Sequence, residues 1–300
     1  LIEAHPNSTD VLHIGALIKA IAAQQQESNK KRKDLEAQSD KRFSQALSAA
    51  DFDAPILFDR CRVFARRGEL ERAYRSCQDA HQLVKDNVPG EVTRADVMAQ
   101  MGKHEEAISA MMSLDKLTER ENITVRVALA RTYIHSDRAE KAQKVVDALK
   151  QQAPDDPRVI LLLGLHAFHS ERYVQAYSLL KRAKALAPTN TEAVVFLAYA
   201  QVRVNKLEEA SEPLKKHLSD PVWGGYAWLA LGELRRRQER FKDAEENLEV
   251  ASKLLIKNNA PTWFITEAYL QRALAWIDKN GWQDKNANDF LQQAARKGNE

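Results

Sequence analysis

Three hundred residues hold only two cysteines, ten glycines and nine prolines. So little glycine and proline suits helices better than strands and turns. Cys61 and Cys77 could pair in an oxidising compartment, but a chain of this size does not need a disulfide to fold. No further ligands stand at a metal-binding spacing from them. Two buried structural cysteines, behaving as small hydrophobes, are the expectation. No apolar run is long enough to span a bilayer, so direct membrane insertion of this stretch is not expected. The formal charge of +3 gives no general pull towards nucleic acid or membrane. Hydrophobic residues at 44% and charged residues at 29% argue against wholesale disorder. The first residue is Leu1 rather than Met, which reads as a mature or excised fragment, so localisation stays open.

What is present is a repeat. DDPRVILLLGLHAFHSERYVQAYSLLKRAKALAP from Asp155 and GYAWLALGELRRRQERFKDAEENLEVASKLL from Gly225 share one plan. Each reads as an apolar helix, a short polar turn and an amphipathic helix with apolar residues at three- and four-residue steps. Gly164, Ala198 and Gly232 fall 34 apart, and 34 before Gly164 stands Ala130. A second ladder, Ala142, Ala176, Ala210 and Ala244, keeps the same spacing; Ala107 and Ala73 continue it at 35 and 34. Small residues at such places let two helices approach closely, while bulky ones such as Leu180, Leu214, Leu248 and Trp228 fill the space between layers. Most prolines fall between these units or in the first turn of a helix, where a missing N–H costs nothing. Pro213 is the exception, and a kink or a late helix start is expected there.

The spacing and the residues that carry it resemble the tetratricopeptide repeat, whose period is 34. The resemblance implies an all-α fold: a right-handed superhelical solenoid of antiparallel helix pairs, about seven to eight repeats long. Repeats are expected over 54–258, with a capping helix pair over 259–300. Residues 1–53 read as an atypical helical pair. It carries an insertion of about a dozen residues, tipped by Lys30-Lys31-Arg32-Lys33. The two helices either protrude as an antiparallel pair or fuse into one; the protruding pair is favoured. The basic tip reads as a solvated helix end, offset by Asp34, Glu36 and Asp40.

In the family the first helix of each repeat lines a concave face that holds a protein ligand. Carried onto this sequence, that face contains Leu161, Leu165, Phe168 and His169, then Val195, Tyr199, Val202 and Arg203, then Tyr226, Leu229, Arg236 and Arg237. An apolar strip of this kind facing water would be a binding site. The expected ligand is an amphipathic or apolar segment of a partner, with Arg203, Arg236 and Arg237 available to a carboxylate. Two other readings stay open: these residues are core, or another part of the polypeptide fills the groove. The two-carboxylate clamp of chaperone-binding members is not expected, because Val195, Tyr199 and Leu229 stand where it needs polar groups.

There is no glycine-rich phosphate loop, nucleophile elbow or zinc-protease motif, so neither catalysis nor a cofactor is expected. His166 and His169 lie three apart and His135 shares the position of His169 one repeat earlier, but a third convergent metal ligand is not evident. Nucleic-acid binding would require a basic stripe recurring from repeat to repeat, and Arg235-Arg236-Arg237 does not recur. The resemblance implies a protein-interaction scaffold or adaptor. The alternative is the repeat region of a larger enzyme or membrane-associated machine, and self-association stays open.

Overall fold

A computed structural model of the chain describes residues 8–26, 28–85, 87–136 and 138–298. Among them are sixteen α-helices and no strand. The chain divides into two compact units, residues 1–98 and 99–300. The first holds α1 (Thr9–Gln24), α2 (Asn29–Ala49), α3 (Ala54–Arg66), α4 (Leu70–Leu83) and most of α5 (Val88–Gln100). The second opens with α6 (His104–Leu117), followed by α7 (Ile123–His135), α8 (Ala139–Gln152), α9 (Pro157–His169), α10 (Tyr173–Leu186) and α11 (Thr191–Arg203). It ends with α12 (Leu207–Lys216), α13 (Gly224–Arg237), α14 (Phe241–Lys257), α15 (Thr262–Asn280) and α16 (Lys285–Gly298).

The pairs are held by close approach at small residues. Ala142, Ala176, Ala210 and Ala244 have no exposed surface. A Cβ added to Gly164 would lie 2.8 Å from Leu180 Cγ, and one added to Gly232 only 2.5 Å from Leu248 Cγ. Both are inside van der Waals contact, so α9 meets α10, and α13 meets α14, nearer than a side chain permits.

Two further ladders mark the ends of the first helices. Asn122, Asp156 and Asn190 cap α7, α9 and α11, each accepting a backbone N–H with its side-chain oxygen. At the turns inside the pairs α3–α4, α5–α6, α9–α10, α11–α12 and α13–α14 the chain passes through the left-handed region, at Gly68, Gly102, Glu171, Asn205 and Glu239. After Gly68, Glu171, Asn205 and Glu239 the next residue donates its N–H back to the helix, as Arg172 N does to Ala167 O at 2.9 Å.

Residues 25–28 separate α1 from α2, so the N-terminal segment is two packed helices and not one fused helix. Pro213 lies within α12, which starts on time at Leu207 and stops early at Lys216. The late start, one of the two outcomes expected at Pro213, is thus not found; the lost N–H bond and the crowding of the ring fall on the preceding turn, at the carbonyl of Glu209.

Cys61 of α3 and Cys77 of α4 are joined as a disulfide with their Cα atoms 5.3 Å apart, which corrects the expectation of two buried thiols. The ladder itself is the reason: these cysteines occupy the close-approach positions of their pair, which brings any two side chains there into contact. The bridge closes a loop of 16 residues, a length for which restriction of the unfolded chain gives about 3 kcal/mol. Reduction of the purified protein, followed by thermal unfolding with thiols blocked, is expected to lower the stability of the first unit by about that amount. An unchanged melting curve would show that the bridge contributes nothing.

Candidate binding site on the inner face

Within the second unit the first helices α7, α9, α11, α13 and α15 converge on one side. Arg131 of α7 reaches Glu192 of α11 at 2.8 Å, passing over the intervening pair. His169 of α9 stacks at 5.2 Å from Trp263 and meets the edge of Phe264 at 5.5 Å, both on α15. Such links skip one or two pairs, which requires a bend with the first helices on its inside.

The inner face carries a chain of ring contacts. Phe168 packs on Tyr199 at 4.8 Å, Phe196 on Tyr226 at 5.5 Å, and Tyr226 on Phe264 at 4.7 Å in edge-to-face geometry. Beside the rings lies a buried ionic cluster. Arg203 contacts Glu233 of α13 at 2.9 Å, Glu267 of α15, and the Tyr199 hydroxyl at 2.9 Å. Arg237 holds Glu233 from the other side at 2.9 Å. Burial pushes the Glu233 carboxyl upward against the pull of both guanidiniums, whereas its acidic neighbours hold Arg203 firmly protonated.

A shallow, partly open pocket lies here, with interior space of about 20 Å³, about enough for one water. Arg131, Ile134 and His135 line it from α7, Leu165 and His169 from α9, and Glu192 and Phe196 from α11. Trp223 and Tyr226 close it from the start of α13, and Phe264 from α15. Both imidazoles are held neutral. Burial, aided by the nearby Arg131 charge, lowers His135 to about 3, and burial with His166 beside it lowers His169 to about 4. The walls are therefore rings and aliphatic groups, with the Arg131–Glu192 pair as the charged edge.

Of the residues expected from sequence, Leu165, His169 and Tyr226 line this pocket. Leu161, Phe168, Val195, Tyr199, Val202 and Leu229 are buried in the cluster behind it. The expectation that they face water is corrected: the first helices approach too closely to leave an open strip, and Trp263 with Phe264 of the same polypeptide covers part of it. The carboxylates that Arg203, Arg236 and Arg237 meet are the chain's own, Arg236 taking Asp278 at 2.6 Å; Arg236 also donates to the Gln271 amide oxygen at 3.0 Å. Trp223 and Phe264 escaped the sequence reading because one precedes its helix and the other belongs to the terminal pair. Glu192 and His135 stood at inner-face positions and were legible. Among the described residues no three His, Cys, Asp or Glu side chains gather as metal ligands would, and no helix is long and apolar enough to cross a membrane.

Residues 117–165 and 167–220 match the family model of the tetratricopeptide repeat. Residues 117–220 of this chain carry tetratricopeptide repeats. A tetratricopeptide repeat protein from Parabacteroides merdae ATCC 43184 shares the fold at 13% identity and a TM-score of 0.51, the match covering 95% of this chain and 99% of that one. The crystal structure of the APC/C hetero-tetramer Cut9-Hcn1 matches at 12% identity and a TM-score of 0.67, over 98% of this chain and 59% of that one. The chain thus spans well under two thirds of that second structure. Among curated proteins none matches.

The histidines give the repeats an acid-sensitive point. Their folded pKa values lie below the unfolded value of about 6.5, so the fold favours the neutral form. This contribution is complete above pH ~6.5 and declines as pH falls towards 4, by about 1.4 kcal/mol per pH unit for each imidazole. His135→Gln is expected to flatten the fall in melting temperature between pH 7 and pH 4 measured by circular dichroism. Parallel curves for variant and wild type would exclude the assignment.

Proposed function

We propose that the chain is a protein-binding module that holds a segment of a partner protein against the inner face of the second unit, without catalysing a reaction on it. The observation that carries this reading is the pocket itself. It is the place where all five first helices from α7 to α15 contribute a side chain to one cavity. A partner segment seated there would lay an apolar or aromatic side chain over the shallow opening, against Phe196, Trp223, Tyr226 and Phe264. Rings in edge contact supply area with little loss of conformational freedom.

In this reading Leu165, His169 and Tyr226 touch the ligand. Leu161, Phe168, Val195, Tyr199, Val202 and Leu229 hold the wall from behind, and Arg203, Arg236 and Arg237 fix the helices that carry it. The shared fold supports a scaffold: one structure it resembles was solved as a hetero-tetramer. The Cys61–Cys77 bridge fits work in an oxidising compartment.

Selection from a displayed library of random peptides tests the proposal. The expected outcome is enrichment of sequences with one aromatic or large aliphatic anchor, whose affinity falls at least about tenfold for Trp223→Ala and for His169→Glu. Both variants should keep the wild-type helical content. Selected peptides that bind these variants as well as wild type would place binding elsewhere, and failure to select any would contradict the reading.

A further inference from the structure

Trp263 and Phe264 are neighbours in the first turn of α15, yet they meet the inner face differently. Phe264 is buried and touches Tyr226 at 4.7 Å, His169 at 5.5 Å and Phe196 at 5.8 Å, so it is part of the wall. Trp263 is only half-buried. Its indole stacks on the His169 imidazole at 5.2 Å with 37° between the planes, and meets Phe168 at 6.2 Å in edge-to-face geometry. Phe168 beneath it has no exposed surface. Trp263 thus covers the α9 margin of the pocket, with its outer side in water.

The helix that carries this indole is anchored elsewhere. Glu267 meets Arg203, Asp278 and Gln271 meet Arg236, and Arg272 holds Glu245 at 2.6 Å. All of these contacts lie beyond the first turn of α15. The first turn itself follows Pro261, whose side chain gives no cap. Rotation about the side-chain bonds of Trp263 takes the indole off the face while α15 stays where it is.

The residue under the indole has an unmet bond. His169 Nε2 is buried and has no hydrogen-bond partner among the described residues. A buried polar atom in that state costs stability, and the covered face carries this cost. The imidazole is neutral, so it offers no counter-charge to an ionised group. A hydroxyl suits it better, because it donates or accepts and so fits whichever nitrogen bears the proton. With the indole in place, the opening beside His169 has room for about one water.

We propose that Trp263 is a lid on the chain's own binding site, and that a partner segment displaces its indole and lays a tyrosine side chain on His169 and Phe168. This rests on the reading of the inner face as a protein-binding site, and it explains how a side chain enters a site that is nearly closed. The phenol ring restores the ring contacts that the indole gives up. Its hydroxyl reaches the His169 nitrogen that the indole leaves unpaired. While the lid is shut the indole competes with the partner from within the chain, so the apparent affinity is lowered by the fraction of molecules that are open.

Fluorine NMR of the full chain labelled with 5-fluorotryptophan is the test, using peptides selected on the wild type. The Trp263 resonance is assigned by its loss in Trp263→Phe, and that of Trp282, which is 73% exposed, by its loss in Trp282→Phe. Saturating peptide should move the Trp263 resonance towards that of Trp282. Trp263→Ala, at wild-type helical content, should bind the same peptides at least about tenfold more tightly, because the internal competitor is gone. Phe in place of the peptide's tyrosine should weaken binding to the wild type at least about fivefold, and this difference should vanish in His169→Phe. If Trp263→Ala loses helix, the fluorine shift of the wild type decides alone. Peptides that bind while the Trp263 resonance stays in place, or that bind Trp263→Ala no more tightly, would overturn the lid and leave the inner-face reading standing. Equal binding of tyrosine and phenylalanine peptides by the wild type would overturn the anchor. Failure to select any peptide would overturn both readings.

Discussion

A single guanidinium stands where three successive helix pairs meet. Arg203 belongs to α11, yet its partners Glu233 and Glu267 belong to α13 and α15. Removing an arginine and two carboxylates from water is costly, and only well-formed mutual contacts offset that cost. The cluster therefore specifies one relative placement of the three helices. A slip between pairs would leave buried charge without its partner. The inner face of the second unit, its ring contacts and its pocket all rest on that placement.

Beneath it lies a simpler constraint. Helices in a pair approach until Leu180 nearly touches the backbone of Gly164 and Leu248 that of Gly232. Close pairs make thin layers, and thin layers stacked with a bend bring the first helices together on the inside. That is how Arg131 can reach Glu192, and how Phe264 can lie against His169. The inner face thus changes from an open strip to a packed wall with a shallow opening, and its rings serve stability first. The same geometry brings Cys61 and Cys77 close enough to bond.

The repeat was legible because it rests on residues that tolerate little substitution: the alanine and glycine ladders and the bulky leucines that face them. Residues of the inner face were also legible from their register, since His169, Arg203 and Tyr226 all stand on it. Their exposure was not. Whether Phe168 faces water depends on the distance to helices one, two and three pairs away, and that distance follows from the bend, which no local pattern encodes. The charge partners were hidden for a related reason. Arg203 and Glu267 lie 64 residues apart, and each alone reads as a surface residue of an amphipathic helix. Trp263 and Phe264 lay where the repeat pattern weakens, so their return to the inner face could not be read from spacing.

The most direct test of the account is a double-mutant cycle at Arg203 and Glu233, followed by chemical denaturation. Arg203→Met alone should cost about 3–5 kcal/mol, because it leaves buried carboxylates without their cation. Glu233→Gln in the same chain should recover part of that loss, giving a coupling well above about 0.5 kcal/mol. Additive effects, or a neutral Arg203→Met, would contradict the claim that this cluster fixes the helix pairs.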